Sequence, residues 1–161
     1  MPKLYLLRHA QASSSLHTDD KGRSLTPHGT EQAKAIAKHL RDVDLALCSS
    51  AKRTQMTLNA AQENGADIKK TDIMDKLYNA GAGDILSILQ EQDKDNILIV
   101  AHNPGIHQLA NLLAGKGTSS QLMQLQLAYA PATLSVLDCP ITNWRDIQPQ
   151  GNELIDLIIP D

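Results

Sequence analysis

The chain has 161 residues, a formal net charge of −3 and a pI near 6.0. That length suits one domain with a real core, spanning 1–161, while the mild acidity leaves no basic footprint for nucleic acid and no polybasic run for anionic lipid. Phe is absent and Trp144 is the only Trp, so the core has to come from Leu, Ile, Ala and Val, and a base-stacking platform lacks its aromatics.

The first apolar run, Leu4–Leu7, reads as a short buried strand. It is too short for the apolar region of a signal peptide, and no stretch approaches the length of a membrane span. The expectation is a soluble cytoplasmic protein. Arg8 and His9 follow at the C-terminal end of this strand, the end at which open α/β sheets bind ligands. A neutral imidazole can attack phosphorus, and a guanidinium can hold phosphate oxygens in a fork.

Ser13–Ser24 is polar and loop-like. Thr26-Pro27 then gives a helix start, with Thr as N-cap and Pro at the first helical position. Ala33, Ile36, Ala37 and Leu40 fall on one face of that helix. Asp44–Cys48 reads as the second strand. Ser50 is a candidate N-cap for a helix from Ala51 to about Glu63, stopped by Asn64-Gly65. Ile68–Ile73 is a third, weaker and more exposed strand. Ile85, Leu86, Ile88 and Leu89 mark a helix after the Gly81–Gly83 turn.

Asn96–Ala101 has the composition of a central buried strand. Asn103-Pro104 repeats the cap-plus-proline start, with Ile106, Leu109, Ala110 and Leu113 on one face and Gly115 as C-cap. Gly117–Ser120 is a loop, and Ala132–Cys139 with Ile141–Ile147 forms a closing strand pair that turns at Pro140. Leu154, Ile155, Leu157, Ile158 and Ile159 are expected to pack against the sheet. This alternation predicts a three-layer α/β/α sandwich around a mostly parallel central sheet, with right-handed crossovers placing helices on both faces. Cys48 and Cys139 are far apart and lack metal-ligand spacing; Cys48, inside an apolar run, reads as a small hydrophobe.

Two helix starts break a local rule. Lys52 and Arg53 fall in the first turn of the helix after the second strand, where the helix dipole disfavours cations. Bound anion reverses that preference, because free backbone N–H groups and a guanidinium together form an anion site. In His102-Asn103-Pro104-Gly105, His102 occupies a strand-to-helix turn and Gly105 permits close backbone approach. If the strands are parallel neighbours, Arg8, His9, Arg53 and His102 point into one cleft.

These residues resemble the histidine phosphatase superfamily, with its phosphoglycerate mutase-like fold. The matching pieces are Leu7-Arg8-His9-Ala10, Leu25-Thr26-Pro27-His28-Gly29, Ser49-Ser50-Ala51-Lys52-Arg53-Thr54-Gln55-Met56-Thr57 and Val100-Ala101-His102-Asn103-Pro104-Gly105. They cover essentially the whole chain, and the small size and the His-Asn-Pro-Gly motif are most similar to SixA-type phosphohistidine phosphatases. The resemblance implies that His9 is the nucleophile and becomes phosphohistidine, that Arg8 and Arg53 bind the phosphoryl oxygens, and that His102 is a further phosphate-pocket donor. It implies no metal and no cofactor. Ala10 stands where many relatives have Gly.

One departure bears on substrate. Many relatives carry a Glu general acid in the segment after the third strand, which here reads Met74-Asp75-Lys76-Leu77-Tyr78-Asn79-Ala80-Gly81 without a Glu. Asp75 is a weak substitute, and Asp19 or Asp20 reaches a leaving group only if the Ser13–Ser24 loop folds over the cleft. An alcohol leaving group needs a proton, whereas a phosphoramidate leaves more easily, so the gap fits phosphohistidine on a protein. A phosphatase of a small phosphorylated metabolite and a non-catalytic phosphate-binding module stay open as alternatives. His17, His28, His39 and His107 have no comparable claim, and Arg23 reads as a solvated loop residue.

Overall fold

The computed structural model describes residues 1–14 and 16–161. The strands are β1 (Lys3–Arg8), β2 (Leu45–Ser49), β3 (Thr71–Met74), β4 (Ile97–Ala101), β5 (Ala114–Lys116), β6 (Leu134–Asp138) and β7 (Asn152–Ile158). The helices are α1 (Pro27–Ile36), α2 (Lys52–Glu63), α3 (Ala82–Gln90), α4 (Gly105–Leu113) and α5 (Ser119–Leu127). One seven-stranded sheet runs β3-β2-β4-β1-β6-β7-β5. Its first four strands are mutually parallel, β6 is antiparallel to both β1 and β7, and β5 is parallel to β7.

β1, β2 and β4 are the apolar runs predicted from sequence, and every residue of β2 and β4 is buried. Such runs hold where both faces of a parallel sheet are covered by helices. Here α1 and α2 seal one face through Ala33, Ile36, Leu58 and Ala61, and α3 and α4 seal the other through Ile85, Leu89, Ile106 and Leu109. β3 is the edge strand, only partly buried. α1 starts as its sequence predicts, with Thr26 Oγ1 accepting from the Gly29 amide at 3.0 Å and Pro27 at the first position. Asn64 and left-handed Gly65 (φ 103°) end α2. Cys48 and Cys139 are buried free thiols, both pushed up to about 12 by desolvation.

The C-terminal third departs from expectation. Ile141–Ile147 is not a strand: it holds a 3-10 turn at Trp144–Asp146, and the antiparallel partner of β6 is β7. Ile141, Trp144 and Ile147 are spaced three apart, which places them on one side of a tight turn rather than on one face of a strand. The Trp144 indole donates to the Lys94 carbonyl at 2.6 Å. The true period-two signal is in Asn152 and Leu154, buried, alternating with Glu153 and Ile155, exposed. Gly115 does not cap α4; it lies in the short strand β5, where any Cβ would clash with the Gln150 carbonyl. Helix α5 begins inside the expected Gly117–Ser120 loop, capped by Thr118. No helix among the described residues is long and apolar enough to cross a membrane.

Candidate active site

Three parallel strands end at one level. Arg8 faces Ala101 across β1 and β4, and Cys48 faces Val100 across β2 and β4. His9, Ser49 and His102 therefore leave the sheet together, and Arg53 approaches from the first turn of α2. His9, Arg53 and His102 are 7%, 4% and 2% exposed.

The His9 ring is held by its Nδ1, 2.8 Å from the Ala10 carbonyl. A carbonyl only accepts, so Nδ1 carries the proton and Nε2 keeps a bare lone pair. Burial lowers the His9 pKa to about 4, the Ala10 hydrogen bond opposes that shift, and the nearby charges of Arg8, Arg53 and Arg23 reinforce it. The Ala10 amide donates to Thr57 Oγ1 at 2.9 Å, and Thr57 donates to the Arg53 carbonyl at 2.7 Å. α2 thereby positions the His9–Ala10 turn and the Arg53 guanidinium as one unit.

Arg8 donates from Nη1 to the Tyr129 carbonyl at 3.0 Å, which also accepts from Asn103 Nδ2 at 2.9 Å. Burial and repulsion from Arg53 lower the Arg8 pKa. Arg53 donates from Nη1 to the Asp20 carbonyl at 2.7 Å and from Nη2 to Asp20 Oδ2 at 3.1 Å. The Nε groups of Arg8 and Arg53 are both buried with no hydrogen-bond partner in the protein. Buried donors without partners are costly, and two of them on neighbouring cations are what an oxyanion would satisfy.

His102 lies between Arg53 and Ser49. Its Nδ1 is 3.3 Å from Arg53 Nη2 and its Nε2 is 2.7 Å from Ser49 Oγ. Guanidinium only donates, so Nδ1 accepts and Nε2–H donates to the serine. Burial and then the Arg53 charge lower the His102 pKa to about 3. The His9 and His102 ring centroids are 5.5 Å apart. At the start of α4, Gly105 passes so close to the Ala80 carbonyl that a Cβ would clash, which is the backbone approach expected there.

The structure thus brings Arg8, His9, Arg53 and His102 together. It corrects two cap assignments: α2 begins after Ala51 rather than with a Ser50 cap, and the residue before α4 is Pro104, leaving Asn103 free to bond Tyr129. Lys52 turns to solvent while Arg53 turns inward. The predicted 13–24 loop includes residue 15, which lies outside the described residues. Its remainder folds back: the Ser13 amide donates to the Ser24 carbonyl at 2.8 Å, and a 3-10 turn at Asp20–Gly22 reaches Arg53.

Among the acid candidates, Asp19 caps that turn, and Asp75 points outward, 83% exposed and paired with Lys21. Asp20 is in contact with the site, and so is Arg23, which pairs with it at 3.1 Å instead of standing free in solvent. Hydrogen bonds from Tyr78 first, then from Arg23 and Arg53, lower the Asp20 pKa to about 2. His28 is exposed. His107 stacks on Tyr129 at 5.4 Å, behind the site.

Sequence alone assigns no separate role to Ser49, Thr57, Tyr78 or Tyr129. Ser49 had a readable signal, a small polar residue ending a buried strand level with Arg8. Tyr78 comes from the segment that lacks a Glu; its hydroxyl donates to Asp20 and its ring stands edge-on to His102, with centroids 5.7 Å apart. Among the described residues, no group of three or more His, Cys, Asp or Glu is placed to hold a metal ion.

Comparison with known proteins adds to this geometry. The sequence pattern of the Histidine phosphatase superfamily (branch 1) matches residues 4–85, which hold Arg8, His9, Arg53 and Tyr78. A solved structure from Nakamurella multipartitia, provisionally assigned as the phosphohistidine phosphatase SixA, is 29% identical with a TM-score of 0.84, covering 99% of this chain and 96% of that one. A second, from Agrobacterium tumefaciens with the same provisional assignment, is 27% identical with a TM-score of 0.80, covering 99% and 98%. An uncharacterized protein of Mycobacterium leprae (strain TN) is 26% identical over 165 residues, covering 96% of this chain and 99% of its own.

Proposed function

Because this chain belongs to the histidine phosphatase superfamily, we propose that it is a metal-independent phosphatase that clears phosphohistidine from a protein through a covalent phosphohistidine on His9. The observation that carries this reading is the pair of buried, unpartnered Nε–H groups on Arg8 and Arg53 beside an imidazole whose Nε2 lone pair is bare. Phosphoryl transfer depends on in-line positioning and on neutralising charge on the equatorial oxygens. In this reading Arg8 and Arg53 supply that neutralisation, in the role a metal ion has elsewhere, and His9 Nε2 attacks phosphorus.

His102 would donate to a phosphoryl oxygen from Nδ1. In the free site that atom accepts from Arg53, so the proton has to arrive with the substrate. A phosphoryl dianion offsets the burial and the cationic neighbours that hold the His102 pKa near 3. The intermediate then yields to water, and His9 is restored.

The acid candidates support a phosphoramidate substrate. Asp19 is engaged as a cap, Asp75 faces solvent, and Asp20 is ionised at neutral pH, so none is poised to protonate an alkoxide. An imidazole leaving group avoids that need. The provisional assignment of the Nakamurella multipartitia neighbour points the same way.

The test uses wild type and His9→Ala, each in a metal chelator, with a phosphohistidine-bearing protein and p-nitrophenyl phosphate. Wild type alone should clear the phosphohistidine protein, and an acid-labile phosphoryl label should map to His9. Equal clearance by the two proteins, or turnover only after divalent metal is added, would sink the proposal.

A further inference from the structure

Asp20 engages both terminal nitrogens of Arg53 and leaves its Nε free, and it is held there by several further contacts. Its Oδ2 accepts from Arg53 Nη2 and from the Tyr78 hydroxyl, its Oδ1 accepts from Arg23 Nη1 at 3.1 Å, and its backbone carbonyl accepts from Arg53 Nη1. Arg53 Nη2 is thus shared between the Asp20 carboxylate and His102 Nδ1. The loop behind it is braced, with Arg23 Nε donating to the Ser13 carbonyl at 2.6 Å and Asp19 capping the turn. The Asp20 side chain is still 47% exposed, whereas His9 and His102 are buried.

This places a carboxylate at the rim of a cationic phosphoryl pocket. Attack by buried His9 requires the leaving group to depart from the opposite side of phosphorus, toward solvent, where the rim is. We propose that Asp20 is a specificity-determining residue that selects N-phosphoryl over O-phosphoryl substrates by accepting the ring N–H of a departing imidazole. This inference rests on the phosphohistidine reading above.

In the step concerned, the substrate imidazole carries phosphorus on one nitrogen and a proton on the other, so the ring is cationic. The His9 Nε2 lone pair forms the new P–N bond. The old P–N bond breaks, and its electron pair stays on the substrate nitrogen. The ring leaves as neutral imidazole and keeps the proton that faces Asp20. An ionised carboxylate at that position favours the protonated ring, which is the form with the better leaving group. It also repels leaving groups that carry negative charge. An aryl or alkyl phosphate gains nothing from it, because its leaving oxygen has no N–H to offer.

The experiment compares wild type, Asp20→Asn, Asp20→Glu and His9→Ala on a phosphohistidine peptide and on p-nitrophenyl phosphate. The ratio of the two kcat/KM values should fall at least tenfold in D20N and be restored in part by D20E. For the peptide, kcat reports ionisations in the bound complex. Its decline on the alkaline side should move to lower pH in D20N, because the bound ring then gives up its proton more readily. Equal losses on both substrates would show that Asp20 only positions Arg53 and would overturn the inference while leaving the proposed function intact. An unchanged ratio or an unmoved pH profile would overturn it too. Peptide turnover no faster in wild type than in His9→Ala would overturn the proposed function and this inference with it.

Discussion

At the start of the parallel strands, Lys3 meets Asp138 at 2.7 Å and Lys69 meets Asp44 at 3.0 Å, all within reach of water. At the other end of the same sheet, His9, Arg53 and His102 are buried and Arg8 is half-buried, with two guanidinium N–H groups left unpartnered. Solvated pairs of the first kind contribute little to stability, because solvent screens them and long side chains lose entropy. Buried charges of the second kind cost several kcal/mol unless something compensates. The difference teaches where to look for chemistry: a fold that leaves guanidinium Nε–H groups buried without partners at one end of its sheet, while solvating its cations at the other, has donors there that an anion would satisfy.

The strongest way to break this comparison is to remove one of the two guanidinium groups. Arg53→Met or Arg8→Met should lower kcat/KM by two to three decades, about 3 kcal/mol of transition-state stabilisation. Melting temperature should change little in R8M, since the unpartnered Nε–H disappears together with the Nη1 hydrogen bond to Tyr129. Steady-state kinetics beside thermal melts checks both, and a collapsed melt with activity intact would invert the picture.

A smaller effect is expected from Ser49→Ala. It strips the acceptor from His102 Nε2–H inside a fully buried site, at about 1–3 kcal/mol of stability for the stranded donor. Roughly tenfold of kcat should go with it as His102 loses its orientation. Urea titration and kinetics measure the two losses separately.

The pH dependence sharpens the same contrast. The folded pKa of His9 is depressed to about 4, against an ordinary value of 6.5. The unfolded chain therefore takes up a proton first as pH falls. The His9 contribution to stability is complete above about 6.5 and is lost as pH drops toward 4. Nitrogen NMR of the imidazole should show a neutral ring, protonated at Nδ1, at pH 5. A midpoint near 6.5 would mean that the site is wetter than its geometry. The smallest effect belongs to the solvated end: Lys3→Met should change stability by about 0.5 kcal/mol or less and leave turnover unchanged.

The local signals in the chain were readable for local reasons. Thr26-Pro27 starts α1, Asn64-Gly65 ends α2, and the apolar runs at β1, β2 and β4 are buried strands, because caps, left-handed turns and hydrophobic runs act over a few residues. Two of the misreadings share a cause as well. Ile141, Trp144 and Ile147 form an apolar set whose spacing suits either a loose strand or a tight turn, and only packing against Lys94 decides. Gly115 in an edge strand depends on β7 arriving beside it, which no short window contains, whereas the Thr118 cap of α5 is a local signal, its Oγ1 accepting from the Gln121 amide.

By itself the sequence determined the alternation of strands and helices, the two strand ends and two helix starts that carry Arg8, His9, Arg53 and His102, and the resemblance those residues support. Tertiary structure alone decided that they meet at one end of the sheet, through the register that sets Arg8 beside Ala101 and Cys48 beside Val100. It also decided which polar neighbours complete the site. Ser49, Thr57, Asp20, Tyr78 and Tyr129 reach it from separate parts of the chain, and their roles depend on distances of about 3 Å that strand order and helix packing set and that sequence spacing does not encode.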